Sequence, residues 1–231
     1  ISADALRNTL WFQEQPDGCV VIGNTLYRFK GSGTQAQVPD GVTVIGESAF
    51  EQTAVTSVIL PEGVQEIHRA AFYGCENLRS ITLPQEVRKI GTMGFYHCGN
   101  LTSVILPQGL EEIGDYAFAS CDKLLYLAVP DSVTSLGSRC MGYTYVSGEE
   151  GFALEEQFRI STESPAAKAY AEKEGIPLTA PMGAGETDTE ATSMSMGTKR
   201  LLFGGIVLAG GAGIALVMLL IRRKARKTTE K

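Results

Sequence analysis

Residues 61–83 read PEGVQEIHRAAFYGCENLRSITL, and residues 84–106 read PQEVRKIGTMGFYHCGNLTSVIL. The two lines agree at the proline, at the apolar third and sixth positions after it, at the phenylalanine, at the cysteine and in the closing hydrophobic run. The pattern extends in both directions. Prolines 39, 61, 84, 107 and 130 are spaced 22, 23, 23 and 23 residues apart. A fixed period of this length marks a solenoid, in which one coil cannot bury its apolar side alone and must stack on a neighbour.

With each proline as position 0, position 3 is Val42, Val64, Val87, Leu110 and Val133. Position 6 is Ile45, Ile67, Ile90, Ile113 and Leu136, and position 11 is Phe50, Phe72, Phe95, Phe118 and then Met141. Stacking at sheet spacing, about 4.8 Å, turns each column into an interior ladder. Each phenylalanine then buries on the order of 150–250 Å². The units close with VTSVIL, LRSITL, LTSVIL and LLYLAV, each followed at once by proline. These runs predict short strands stopped by a residue that has no N–H to donate. One strand per coil, paired in register, is expected to build a parallel sheet down one side. Glu111 and Glu112, at positions 4 and 5, are expected beside Arg88 and Lys89 of the preceding coil as a solvated charge ladder, not as acid–base machinery.

Written as P-x-x-V-x-x-I-x-x-x-A-F-x-x-C-x-x-L-x-x-I-x-L, the units resemble the BspA-type leucine-rich repeat, found on bacterial surfaces and in some parasitic protists. The resemblance covers Pro39 to Gly137 and implies a repeat solenoid over 39–149 with a role at a cell surface. It departs from the pattern in the first unit, which lacks the cysteine and one residue, and in the fifth, where Cys140-Met141 replaces Ala-Phe. Residues 1–38 are similar to an inserted variant that such proteins carry before regular repeats. There CVVIGNTLYRF predicts two strands joined at Gly23-Asn24. Ile1, Ala5 and Leu6 fall at positions 6, 10 and 11 of the same template, so further sequence, with an export signal, is expected upstream of Ile1.

The repeats give way to SPAAKAYAEKEG, in which Ser164 reads as a helix N-cap, Pro165 as the first helical residue and Gly175 as the stop. Ala167 and Tyr170 offer an apolar face to the last coil, so 150–180 is expected to be a C-terminal cap. Residues 181–200, rich in Gly, Ser, Thr and Ala, are expected to be a disordered stalk. Leu201 to Ile221 is a run of 21 residues without charge, long enough to cross a hydrocarbon core of about 30 Å as a helix. The basic tail 222–231 behind it predicts a single span with the C-terminus inside and residues 1–198 outside. Gly205, Ala209 and Gly213 place small residues on one stripe of that helix and could pair two copies in the membrane.

The formal net charge is −6, but it is unevenly distributed. Residues 1–198 carry 12 basic and 25 acidic side chains, a net of −13, while residues 199–231 carry eight basic and one acidic, a net of +7. An acidic front region argues against nucleic acid as a partner. Cys75, Cys98 and Cys121 align at position 14, spreading sulfur along a line where metal ligands would have to converge. The two histidines, His68 and His97, sit at different positions of different coils, so no nucleophile–base pair can be assembled. No catalytic residue, cofactor or metal site is expected.

Binding is expected on the face that the strands expose. Its outward positions include Ser57/Ile59, Ser80/Thr82, Ser103/Ile105 and Tyr126/Ala128, with Arg79 and Thr102 beside them. The candidate contact residues are Arg79, Thr82, Thr102, Ile105 and Tyr126, because interface energy concentrates on aromatic and arginine side chains. The expected role is that of a bacterial plasma-membrane protein whose extracellular repeats bind a protein or a surface glycan. The alternative is a spacer that holds another domain above the membrane.

Overall fold

The computed structural model describes residues 5–146 and 151–180. A short helix, α1 (Leu10–Glu14), is capped by the Thr9 hydroxyl, which accepts from the Phe12 amide. Next comes the antiparallel hairpin of β1 (Gly18–Ile22) and β2 (Thr25–Lys30), turning at Gly23-Asn24 as the sequence predicts. Strands then alternate between two sides of the coil: β3 (Gln35–Gln37) and β4 (Val44–Ile45), β5 (Ser57–Ile59) and β6 (Glu66–Ile67), β7 (Ser80–Thr82) and β8 (Lys89–Ile90). The last regular pairs are β9 (Ser103–Ile105) with β10 (Glu112–Ile113) and β11 (Tyr126–Ala128) with β12 (Ser135–Leu136).

The expectation of one strand per coil is therefore corrected to two. The longer sheet is not the expected one. It runs in the order β1-β2-β4-β6-β8-β10-β12, parallel from β2 onward, and is built mainly from two-residue strands around position 6. The strands at the ends of the units pair two by two instead, β3 with β5, β7 with β9 and β11 with a later strand, β15 (Arg159–Ser161). The unit-end strands β3, β5, β7, β9 and β11 are each three residues long and are followed two residues on by Pro39, Pro61, Pro84, Pro107 and Pro130. That leaves few donors for a continuous ladder.

The interior follows the columns. Leu26, Ile45, Ile67, Ile90 and Ile113 are fully buried beneath one another, as are Val42, Val64, Val87 and Leu110. Phe50, Phe72, Phe95 and Phe118 stack with ring centroids 4.9, 4.8 and 5.2 Å apart and planes within 6° of parallel. The first rung is Phe29 of β2, 5.4 Å from Phe50. Leu6, expected at the phenylalanine position of a preceding coil, packs instead with Phe12, Val20 and Tyr27 in a separate small cluster. At about 25 cal/mol per Å² of apolar surface, each buried ring contributes roughly 4–6 kcal/mol before chain entropy is subtracted.

The corner after position 8 has an unusual backbone. Ser48, Ala70, Met93, Tyr116 and Arg139, all at position 9, lie in the left-handed region with φ between 48° and 58°. Position 13 repeats the excursion in Gln52, Gly74, His97 and Ser120. The alternation turns the amides of positions 9, 11 and 13 toward the next coil. Ala70 donates to Thr92, Phe72 to Gly94 and Gly74 to Tyr96. Each left-handed L-residue costs roughly 1–2 kcal/mol, offset here by an inter-coil hydrogen bond at a site where a buried amide would otherwise go unpaired.

Beyond the repeats, β13 (Tyr143–Val146) and β14 (Gly151–Leu154) form an antiparallel hairpin, so the expected boundary at 149/150 falls between two paired strands. After β15, the helix α2 (Pro165–Glu174) has Ser164 as N-cap and left-handed Gly175 as its stop, as the sequence predicts. Ala167, Tyr170 and Ala171 are buried against the core. Tyr143 Oη donates to Glu174 Oε2 at 2.5 Å and ties the hairpin to this helix. No described helix is long and apolar enough to cross a membrane. The expected stalk (181–200), span (201–221, with Gly205, Ala209 and Gly213) and tail (222–231) lie outside the described residues.

Candidate functional site

The strand face emerges as a set of exposed rows. In β5, β7 and β9 the central residue is buried and both flanking side chains are exposed. Register places Ser80 beside Ser103 and Thr82 beside Ile105, while Tyr126 pairs with Arg159 of β15. Arg79, Thr82, Thr102 and Ile105 are exposed and Tyr126 is half-buried. All five candidate contact residues thus share one side of the stack. Thr102 is partly committed to the stack itself, its hydroxyl donating to the Arg79 carbonyl at 3.0 Å. Ile59 and Ile105 remain 48% and 47% exposed, a large apolar share for a solvated strand.

A second surface lies on the left-handed corner, where sequence reasoning assigned nothing. Tyr73 and Tyr96, at position 12 of adjacent coils, stack at 5.3 Å. The row continues into Phe152 of β14, which meets Tyr96, Tyr116 and Tyr145 at 6.3, 5.2 and 5.7 Å. The Arg139 guanidinium lies over the Phe152 ring at 5.7 Å. These rings fasten the β13–β14 hairpin to the side of the solenoid, and burial raises the Tyr96 phenol above its ordinary pKa. The only sequence signal was the repeated Tyr at position 12, which lies outside the anchor pattern.

Next to Tyr73 the corner opens into a groove of about 490 Å³, lined by Gln52, Tyr73, Gly74, Glu76, Asn77 and His97 among others. The first coil is one residue shorter here, with Thr53-Ala54 where the second has Cys75-Glu76-Asn77. Its Thr53 takes over the cysteine position, donating to the Phe50 carbonyl at 2.8 Å. In the position-13 column, Gly74 at φ 67° supplies no side chain between those of Gln52 and His97. His97 Nε2 lies 3.4 Å from Glu76 Oε1 at the rim.

The remaining reactive groups point to structural roles. Cys75, Cys98 and Cys121 are buried free thiols whose sulfurs donate to the carbonyls of Phe50, Phe72 and Phe95 in the coil before, at 3.0–3.1 Å. Hydrogen bonding with Cys121 and Cys75, together with burial, holds the Cys98 thiol well above its ordinary pKa, which makes it a poor nucleophile. His68 pairs with Glu66 at 2.9 Å, in a different coil from His97. Lys89 meets Glu112 at 2.8 Å in the expected charge ladder, and that bond raises the lysine's pKa. Among the described residues no group of three or more His, Cys, Asp or Glu is placed to hold a metal.

Residues 20–146 match the family model described as BspA type leucine-rich repeat region, in six copies. A search of the curated proteins found no match. Among solved structures, a leucine-rich repeat protein from Bacteroides ovatus is 21% identical, with 63% of this chain and 51% of that chain covered and a TM-score of 0.36. A leucine-rich cell surface protein from Faecalibacterium prausnitzii is 24% identical, with 57% and 51% covered and a TM-score of 0.38. The chain thus spans about half the length of these structures. With more than half of its residues matched by the repeat model, the chain belongs to the BspA-type leucine-rich repeat family.

Proposed function

We propose that this chain is a cell-surface binding protein whose repeats present ligand-contacting faces to protein or glycan partners, held at the membrane by a single span over Leu201–Ile221. The observation that carries the binding part is the strand face. Its exposed rows run in register within paired coils, β3 with β5 and β7 with β9, and include Ile59 and Ile105, each nearly half exposed. Solenoids use such extended faces for recognition. The anchoring part rests on sequence: 21 uncharged residues followed by RRKARK.

The test uses the full chain behind a bacterial export signal, tagged at its C-terminus and expressed in a bacterial envelope. Protease added to intact cells is expected to remove the repeats while a tagged fragment stays in the membrane through alkaline extraction. Purified chain in detergent is then expected to bind matrix proteins or surface glycans saturably, several-fold more weakly after Arg79→Ala or Tyr126→Ala. Release of the tag on alkaline extraction would refute the anchor. Absence of saturable binding would refute the binding role.

A further inference from the structure

We infer that the corner groove beside Tyr73 is a binding site for a neutral sugar residue, such as the terminal unit of a glycan. This rests on the surface-binding reading above and assigns it a place away from the strand face. Three local features make the groove. The shortened first coil removes one residue from the bend, Gly74 leaves out one side chain in its column, and Tyr73 stands at the side, stacked against Tyr96 at 5.3 Å. Gln52 and His97 bracket the gap from two coils apart, about 10 Å at sheet spacing.

Two polar side chains of the groove, Gln52 and Asn77, are left unused by the fold. In the third coil, the Asn100 amide donates to the Glu76 carbonyl at 2.8 Å and its oxygen accepts from Lys123 at 2.6 Å. Asn77 holds the same position one coil earlier, above the shortened bend, and its side chain makes no such bond among the described residues. The Gln52 side-chain amide is likewise exposed and makes no hydrogen bond within the described residues, while its backbone N–H donates to Tyr73 in the next coil. Each amide offers donors and an acceptor, matching hydroxyls that both give and accept. The Glu76 carboxylate meets His97 through Oε1 and keeps Oε2 as an acceptor, and the Tyr73 ring offers a flat apolar surface to the C–H face of a pyranose.

Other ligand classes fit less well. His97, the one basic side chain lining the groove, is paired with Glu76, so a phosphate or sulfate finds no cationic clamp. The groove is lined mostly by polar side chains, which does not suit a lipid. It opens at a bend with no free strand edge, which does not suit an extended peptide.

Full-length chain in a detergent without a sugar headgroup is titrated with glucose, galactose, mannose and N-acetylglucosamine, followed by saturation-transfer NMR. The same sugars displayed on beads provide a multivalent form. At least one sugar is expected to bind saturably with a dissociation constant on the order of 1 mM, and more tightly on beads. Asn77→Ala is expected to weaken binding about fivefold, the worth of one hydrogen bond. Gly74→Gln is expected to weaken it more than tenfold by filling the floor with the residue that Gln52 already carries at this left-handed position. Glu172→Ala on the exposed side of α2, away from both surfaces, should change nothing. Each variant is checked for a retained cooperative urea transition, with Gly74→Gln expected to lower the midpoint because it places an L-residue at φ 67°. Saccharide binding lost through Arg79→Ala but kept by both groove variants would overturn the assignment to this groove. Saturable binding of a protein but of no sugar would overturn it while leaving the surface-binding reading intact. Absence of any saturable ligand would overturn both.

Discussion

Phe95→Ala tests the ladder at its centre. The ring is fully buried between Phe72 at 4.8 Å and Phe118 at 5.2 Å, with planes 3° from parallel on both sides. Truncating a buried phenylalanine costs about 3–5 kcal/mol through lost transfer energy and the cavity left behind. Two stacked partners place Phe95 at the upper end of that range. Phe29 is the internal control, since it has a single stacked partner, at 5.4 Å and 27°, and is 7% exposed. One fewer aromatic pair is worth about 0.5–1.5 kcal/mol, so Phe29→Ala should cost less by about 1 kcal/mol. In a linear stack the central cut also uncouples the coils on either side. Urea unfolding followed by circular dichroism should therefore show a lower midpoint and a broader transition for Phe95→Ala than for Phe29→Ala. Equal losses for the two variants, or a loss below about 1.5 kcal/mol for Phe95→Ala, would show that the rings do not act as a continuous ladder.

Met93 sits at φ 58°, so Met93→Gly should raise the unfolding free energy measured in urea by about 0.5–1 kcal/mol and Met93→Val should lower it, reversing the usual order for a glycine substitution. Burial pushes the Cys140 thiol from 9.0 up to about 12 and the Tyr143 phenol from 10.0 up to about 12. Both are held neutral by the fold, so the stabilisation from Cys140 is intact below pH 9 and is lost between pH 9 and 12, by on the order of 4 kcal/mol, and that from Tyr143 is intact below pH 10 and is lost between pH 10 and 12. Unfolding midpoints measured across that window should fall, and Cys140→Ala should flatten the fall. The Tyr143 hydrogen bond holds the Glu174 carboxyl below its usual range, so its stabilisation is present above about pH 4.5 and declines as the pH drops further; Tyr143→Phe should reduce that acid-side decline in a pH-dependent melt. A thiol reagent at pH 8 should label only Cys19 in the folded chain, and the other four cysteines only in urea; rapid labelling of Cys98 in the folded state would contradict its burial.

Most of the interior was legible because it repeats. The prolines set the period, and Val42, Ile45 and Phe50 with their equivalents marked the buried columns before any coordinate was needed. The capping helix was equally plain, since Ser164, Pro165 and Gly175 each carry a local conformational preference. The second strand of each coil was not, because Glu66–Ile67 or Lys89–Ile90 is two residues long and shows no alternation. The left-handed corners were hidden for a different reason. Eight of the nine residues at positions 9 and 13 are L-residues, held there by bonds to the next coil and not by their own preference. Phe29 escaped because it follows Leu26 by three residues, whereas in the regular units Phe follows Ile by five.

The strand-face candidates could be named because alternation in SVI and SIT fixes which side chains point outward. The corner groove could not. It depends on three coils at once, and its decisive feature is a residue that is missing. Tyr73 and Tyr96 were visible as a repeat, but only the fold shows that they stack outside the core and that Phe152, from a hairpin beyond the repeats, leans on the same row.

The shortened bend has an implication for how such proteins change. Positions 15 and 16 lie between Thr53, which still reaches the Phe50 carbonyl, and Val55, which is fully buried again. A codon dropped there leaves every interior column intact and reshapes only the outside. Arrays that grow by copying coils can thus gain a socket through a counting error in one copy, with no substitution in the core and little loss of stability to repair.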